Sequence, residues 1–358
     1  MYRLSLTAFF LSIALVSPAT ADDVPKLAPL PVPDLSELES QHLSNHRQVT
    51  SGLPRAGEGY FSPDGKQIIY QAYPVGYPFY PIYIQDLDKN DPRRVSTGRG
   101  RTTCSYFHPD GKSLLFASAH TNPNLPTLER DARAETGRRR YQWDFDEYMD
   151  IYTCDLDGTN LKQLTDEPGY DAEGSYSSDG RQIVFTSTRD GDPDIYVMDA
   201  DGSNVRQITD ADGYDGGPFF SPDDKWIIFR SDREKKDMLQ IYMVSVDGKH
   251  EVQLTDNLDQ VNWCPYFHPS GKYFIWAGAD YSRGPRAPQA KFQLFLMDLD
   301  YKDGKPVPGK ITQITDDSAA DVLPVFSPDG KQLMWTSTRG EDGTSQLWIA
   351  DWTYDPAK

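Results

Sequence analysis

The sequence predicts an all-β fold: a six-bladed β-propeller closed by an N-terminal strand that completes the last blade. Three observations predict it. An aromatic strand end running into a Ser-Pro-Asp-Gly turn, or a close variant of it, occurs six times. Each copy is followed by runs of β-branched and aromatic residues at the spacing of short strands. The last copy stops one strand short, and a strand of the missing kind stands near the start of the chain. Short strands in groups of four, repeated at a regular period, build a propeller.

The phrase reads Tyr60-Phe-Ser-Pro-Asp-Gly65, Tyr106-Phe-His-Pro-Asp-Gly111, Ser175-Tyr-Ser-Ser-Asp-Gly180, Phe219-Phe-Ser-Pro-Asp-Asp224, Tyr266-Phe-His-Pro-Ser-Gly271 and Val325-Phe-Ser-Pro-Asp-Gly330. Proline presets φ in the turn, and glycine or aspartate tolerates the left-handed residue. Second strands follow, as in Ile183-Val-Phe185, and then third strands, as in Ile195-Tyr-Val-Met-Asp199. Fourth strands close most units, as in Arg206-Gln-Ile-Thr209. The sixth unit ends at its third strand, Gln346–Ala350, and His46–Thr50 has the pattern of the missing fourth. Pairing the two closes the ring and leaves no free sheet edge; an open solenoid of repeats is the alternative.

At 358 residues the chain has room for one large all-β domain, here residues 45–358. The 27 prolines and 27 glycines argue against long helices. A net charge of −18 excludes nucleic acid as a general partner and favours cations or basic protein surfaces. Cys104, Cys154 and Cys264 cannot make a disulfide framework. The repeat puts Cys104 and Cys264 on opposite blades, so all three are expected to be unpaired, buried thiols. Residues 1–21 read as a secretory signal: Arg3, an apolar run from Leu4 to Val16 too short to span a bilayer, and cleavage after Ala21. Residues 22–44 read as an extended proline-rich lead-in. No later segment reads as membrane-spanning, and a periplasmic or secreted monomer is expected.

The motifs Phe-Ser-Pro-Asp-Gly-Lys, Ser187-Thr-Arg-Asp-Gly191, Ile195-Tyr-Val-Met-Asp199 and Gln207-Ile-Thr209 resemble the WD-like propeller repeats of the TolB family. The resemblance covers roughly residues 45–352, the propeller alone without the α/β domain that TolB carries ahead of it. It implies the propeller fold. It does not carry TolB's own role, because such repeats also occur in binding proteins, regulatory propellers of peptidases and some sugar lyases.

Two kinds of link, second to third strand and fourth strand to the next first strand, emerge on one face, the loop face. The extra chain length falls there: a blade 2 insertion at about 119–150, a blade 5 insertion at about 280–291, and Tyr73–Pro81 in blade 1. Loops on a rigid scaffold are where binding resides, so the ligand is expected over the channel mouth on this face. The blade 2 insertion reads as a helix over 125–136, then Arg138-Arg-Arg140 and the aromatic run Tyr141, Trp143, Phe145 and Tyr148. The arginines either dock on the protein's own carboxylates or bind a ligand, and the aromatics either cover the mouth or stack on one. Ligand-binding candidates are Arg138, Arg139, Arg140, Tyr141, Trp143, His120, Arg283 and Arg286. At the start of the first strands stand Ala56, Thr102, Asp171, Asp215, Asn262 and Asp321. Asp171, Asp215, Asn262 and Asp321 are an oxygen-ligand set for Ca²⁺ or another divalent cation, or else caps on adjacent backbone. Two positions on stand Glu58, Cys104, Glu173, Gly217, Cys264 and Leu323.

No catalytic residue is assigned. There is no Gly-x-Ser-x-Gly elbow and no His-x-x-x-His or Cys-x-x-Cys spacing. The favoured reading is an exported, non-catalytic propeller that binds a protein or carbohydrate of the cell envelope. The alternative is a cation-assisted carbohydrate lyase or an accessory propeller of a peptidase system.

Overall fold

The computed structural model describes residues 33–134, 145–354 and 356. The signal segment and the first part of the lead-in, residues 22–32, lie outside the described residues. Among the described residues, twenty-four strands form six four-stranded antiparallel sheets. Blade 1 is β2 (Arg55–Phe61), β3 (Gln67–Tyr73), β4 (Ile82–Asp86) and β5 (Arg93–Arg94). Blade 2 is β6 (Thr102–Phe107), β7 (Ser113–Ser118), β8 (Asp150–Asp155) and β9 (Lys162–Gln163). Blade 3 is β10 (Asp171–Tyr176) to β13 (Arg206–Gln207), with β11 (Gln182–Ser187) and β12 (Asp194–Asp199) between them. Blade 4 runs β14 (Asp215–Phe220), β15 (Trp226–Ser231), β16 (Gln240–Ser245), β17 (Glu251–Gln253). Blade 5 runs β18 (Gln260–Phe267), β19 (Tyr273–Asp280), β20 (Gln293–Lys302), β21 (Lys305–Gln313).

Blade 6 closes the ring. Its order is β22 (Asp321–Phe326), β23 (Gln332–Ser337), β24 (Gln346–Trp352) and then β1 (Leu43–Gln48). Leu43 pairs with Trp352 and Gln48 with Trp348. The pairing expected of His46–Thr50 is present, but the strand starts three residues earlier. Leu43 is 2 % exposed and packs with Trp335, Trp348 and Trp352, which draws the chain into register sooner. Beyond Gln48 the ladder continues through Val49 N–H to Leu347 O at 2.8 Å.

The repeated turn works as its composition suggests. In blade 1 the Ser62 hydroxyl donates to Asp64 (2.7 Å), Lys66 N–H donates to the same carboxylate (3.1 Å), and Gly65 takes φ +69°. Blades 3, 4 and 6 repeat the Ser–Asp bond. In blades 2 and 5 histidine replaces the serine and reaches the next blade: the rings of His108 and His268 bond Gly180 O (3.2 Å) and Gly330 O (3.1 Å). Second strands are apolar on both faces, with Ile68, Ile69, Leu114, Leu115, Ile183 and Val184 fully buried. Each sheet is sandwiched between two others, so alternation is lost.

All six first strands carry a register shift at one place, between Gly57/Tyr60 in blade 1 and its equivalents elsewhere. Glu58, Cys104, Glu173, Gly217, Cys264 and Leu323 sit there with φ between +48° and +59°. Left-handed geometry costs a non-glycine residue about 1–2 kcal/mol. The bulge re-aims six side-chain positions together.

Candidate functional site

Three first strands begin with aspartate, and each carboxylate is committed to an arginine eighteen residues on in its own blade. Arg189 donates to Asp171 (2.9 Å), Arg233 to Asp215 (2.6 Å) and Arg339 to Asp321 (2.7 Å). Each guanidinium lies over aromatic rings of strands two and three, as Arg233 does over Tyr242 at 4.7 Å. A serine two residues before the arginine accepts from its side chain in every case. Burial pushes the Asp171 and Asp215 carboxyls up, and their arginines oppose it. Asn262 is bonded to Gln240, Thr255 and Trp276. Among the described residues Asp171, Asp215 and Asp321 do not form a close carboxylate group, and Asp171 Oδ2, Asp215 Oδ2, both oxygens of Asp321 and the Asn262 amide are already engaged by protein partners.

The register shift gathers a second set in the channel. Glu173 accepts from Arg230 (3.0 Å), Tyr214 (2.9 Å) and Gly217 N–H (2.5 Å). A Cβ at 217 would lie 1.8 Å from Arg230 Nη1, so glycine leaves the room that the guanidinium occupies. Blade 4 thus gives up its own channel side chain to the guanidinium from β15. Gln71 donates to Glu58, whose carboxyl burial pushes up to about 7. Cys104 and Cys264 belong to the same set, and burial raises both thiols well above their ordinary range. One arginine offsets one of the two carboxylates. Asp150 and Asp194, which open the third strands of blades 2 and 3, are also pushed up to about 7 by burial and then by Asp171 and Asp215 respectively.

Further along the axis the channel is filled. The rings of Tyr60, Tyr106, Phe219 and Tyr266 pack with centroids 5.0–6.3 Å apart, and the hydroxyls of Tyr106 and Tyr266 meet at 3.1 Å. On the turn face this plug forms the floor of a depression of about 280 Å³. Its wall holds Phe61, Phe107, Tyr176, Phe220, Phe267 and Phe326. Pro63, Pro222, Pro269 and Pro328 stand exposed at its rim. Sequence reasoning missed this end, because its residues are the repeat motif itself and read as turn and core.

Of the ligand-binding candidates, Arg138, Arg139, Arg140, Tyr141 and Trp143 lie outside the described residues. His120 is bonded to Ser118 (3.0 Å) and lies 4.6 Å from the Tyr152 ring. It occupies the register of Arg189, Arg233 and Arg339. Arg283 and Arg286 are exposed on the blade 5 insertion. The helix of the blade 2 insertion is α1 (Leu125–Ala134). Tyr77 of the blade 1 loop donates to its Glu129 (2.8 Å), which seats the helix on blade 1. Phe145 reaches Tyr170 (5.0 Å) and Tyr214 (6.4 Å), so this aromatic of the run lies over the loop-face mouth. The three cysteines are unpaired; Cys154 and Cys264 are buried as expected, whereas Cys104 is partly exposed. Among the described residues no helix is long and apolar enough to cross a membrane.

Residues 145–277 match the family of tricorn protease N-terminal beta propeller domains, well under half of the chain. None of the curated proteins compared with the chain matches it. Among solved structures, a protein described as TolB from Agrobacterium tumefaciens is 23 % identical, with TM-score 0.55 over 84 % of this chain and 91 % of that one. TolB from Acinetobacter baumannii is 20 % identical, with TM-score 0.53 over 84 % of this chain and 64 % of that one. The oligogalacturonate lyase from Vibrio parahaemolyticus is 15 % identical, with TM-score 0.52 over 82 % of this chain and 76 % of that one. A further oligogalacturonate lyase, in complex with manganese, is 17 % identical, with TM-score 0.51 over 87 % and 81 %. The shared property is the fold, a TolB-like propeller.

Proposed function

We propose that the chain is an exported, non-catalytic propeller that binds an apolar segment of a cell-envelope protein at the turn-face end of its channel. The observation that carries this reading is the aromatic plug. It stops the channel and presents Tyr106, Phe219 and Tyr266, partly exposed, as the floor of a concave site walled by phenylalanine and proline. Preformed apolar concavities of this kind are the default binding sites of a scaffold. The rim adds Asp–Lys pairs such as Asp223–Lys225 (3.0 Å), polar and solvated, around the apolar centre. Export rests on the signal pattern of residues 1–21.

Site-specific photo-crosslinking tests the reading. A crosslinker at Pro222 or Pro328 is expected to capture a defined envelope protein, and one at Arg283 or Arg286 is not. Capture from the loop-face positions alone would move the site to the other face, where the sequence first placed it.

A second reading, a carbohydrate lyase, is favoured by one observation: Glu58, with a carboxyl near neutrality, could take a proton at the loop-side end of the channel. Two of the similar folds are oligogalacturonate lyases. Incubation with oligogalacturonides and Mn²⁺, read as the absorbance of unsaturated product, separates the two. Turnover abolished by Glu58→Gln would replace the binding reading.

A further inference from the structure

Blade 5 departs from the repeat on the turn face. In blades 1 to 4 the third strand ends at the residue paired with the start of the second strand, as Ser245 is with Trp226. The equivalent pair in blade 5 is Tyr273 and Asp298. There β20 runs on from Leu299 to Lys302, and β21 returns from Lys305. Four further residues at about 3.4 Å each carry the hairpin roughly 14 Å past the point where the other third strands end. Leu299 N–H donates to Lys272 O (2.7 Å), so the hairpin rises beside the blade 5 turn. Burial, and then Asp223 of the blade 4 turn, push the Tyr301 hydroxyl up to about 12, which sets this side of the hairpin against the rim at blade 4.

The charge at blade 5 departs from the repeat as well. In five of the six turns the basic residue, Lys225 for example, has an aspartate two residues before it, here Asp223. Four of these pairs lie within 3.8 Å. Blade 5 has Ser270 in that place, and Lys272 is in no ion pair among the described residues. The hairpin adds Lys302 and Lys305, exposed and likewise in no ion pair among the described residues. These two stand directly opposite each other across the hairpin. Like charges in that position destabilise an antiparallel pair. Asp303 is the one acid between them, and Asp300 accepts from Tyr301 N–H (2.8 Å). A chain of net charge −18 has thus collected three uncommitted cations on one side of its apolar depression.

We propose that the segment bound on the turn face is acidic on the side that crosses blade 5: its apolar centre fills the depression, and its carboxylates meet Lys272, Lys302 and Lys305. The inference rests on the turn-face reading above and adds the chemistry and the direction of the partner segment. Tyr301, 39 % exposed, offers the acidic arm an aromatic surface on the blade 4 side. Charges at a rim act over a Debye length of about 8 Å at physiological salt. A short acidic arm therefore senses these lysines and not the distant carboxylates. An extended polyanion, nucleic acid or an anionic membrane, would meet both, and the net charge would repel it. Rim charges of this kind steer association and select the partner more than they add affinity.

The whole chain, panned against random peptides displayed on phage, tests this. Enriched peptides are expected to have a proline or aromatic core with aspartate or glutamate confined to one flank. Made synthetically, they are expected to crosslink from Pro222 or Pro328 and to associate more slowly as salt is raised. Combining Lys272→Glu, Lys302→Glu and Lys305→Glu, all at exposed positions, should slow their association at least about tenfold. Combining Lys66→Glu and Arg181→Glu, in turns that keep their own aspartates, should change it by less than about twofold. Peptides that crosslink from Pro222 or Pro328 but lack an acidic flank would overturn the inference and leave the turn-face reading standing. So would peptides whose association ignores the three lysines, or falls equally in the control variant. Failure to enrich any peptide, or crosslinking from Arg283 or Arg286 alone, would overturn both.

Discussion

Arg339 donates to Glu39 at 3.0 Å across three hundred residues of sequence, with both side chains 1 % exposed. The same guanidinium donates to Asp321 at 2.7 Å. Glu39 lies in a short 3₁₀ turn just ahead of β1, and its N–H donates to the Ser36 hydroxyl (3.0 Å). The N-terminal segment is therefore fastened twice to blade 6, once by a strand and once by a buried ion pair. Removing one partner of a buried pair costs about 3–5 kcal/mol when the other charge is stranded. Arg339 keeps Asp321, so Glu39→Gln is expected to cost less, about 1–3 kcal/mol. Denaturant unfolding measures it, and an unchanged midpoint would show that Glu39 locks nothing.

Deleting residues 33–50 removes the fourth strand of blade 6 and bares the backbone edge of β24. An exposed edge recruits other strands. The truncated chain is expected to aggregate or to form dimers in sedimentation, and the full chain is expected to run as a monomer. A monomeric truncation with the parent's melting temperature would mean that the ring does not need its N-terminal strand.

Three buried carboxyls give the stability a pH dependence of unusual sign. Glu58, Asp150 and Asp194 are all pushed up to about 7, mainly by burial. Between the ordinary carboxylate range and pH 7 the folded chain holds protons that the unfolded chain has released. Stability from these groups is present at low pH and falls as pH rises through 7. The melting temperature is expected to be higher near pH 5.5 than near pH 8. Glu58→Gln should remove part of that difference, and a curve unchanged by the substitution would exclude Glu58 as its source.

The thiols offer a simple check on the channel. Burial pushes Cys154 up to about 12 and raises Cys104 and Cys264 well above the ordinary thiol range. Thiolate is the reactive form. A thiol reagent at pH 8 is expected to label none of the three in the folded chain and all three in denaturant. Rapid labelling of Cys104 in the folded chain would show that the channel opens.

The architecture was legible because it is repeated. Six copies of one turn phrase, and one strand missing at one end and present at the other, left little freedom, and even Leu43–Gln48 was misplaced by only three residues. The site was legible in part. The first-strand positions were aligned correctly, but their aspartates were weighed alone. Their partner was visible: residue 18 on from Asp171, Asp215 and Asp321 is arginine, and 18 on from Ala56, Thr102 and Asn262 is Pro74, His120 and Asp280. Reading the two columns together identifies an ion pair built into the blade. The left-handed residues at Cys104 and Leu323 carry no such signal, because neither residue type favours positive φ. The aromatic plug stayed hidden because Tyr60, Tyr106, Phe219 and Tyr266 read as strand residues until the ring curls them onto one axis.

That pairing can be tested by transplanting it. Blade 2 has the setting without the pair. Thr102 stands where the aspartates are, 1 % exposed, and His120 where the arginines are. Ser118 occupies the place of Ser187, and Phe116 pairs with Tyr152 as Phe185 pairs with Tyr196. Thr102→Asp alone buries a carboxylate with no cation and loses the Thr102 hydroxyl bond to Tyr80 O. It is expected to cost several kcal/mol, about 3–5. His120→Arg alone places a guanidinium over Tyr152 near solvent and should change stability by about 1 kcal/mol or less. In the double variant the arginine reaches the new aspartate, as Arg189 reaches Asp171 at 2.9 Å. The two effects should then fail to add, with a favourable coupling of about 1–3 kcal/mol in a double-mutant cycle. Additive costs would show that the Asp–Arg spacing follows from blade ancestry and not from a mutual energetic need.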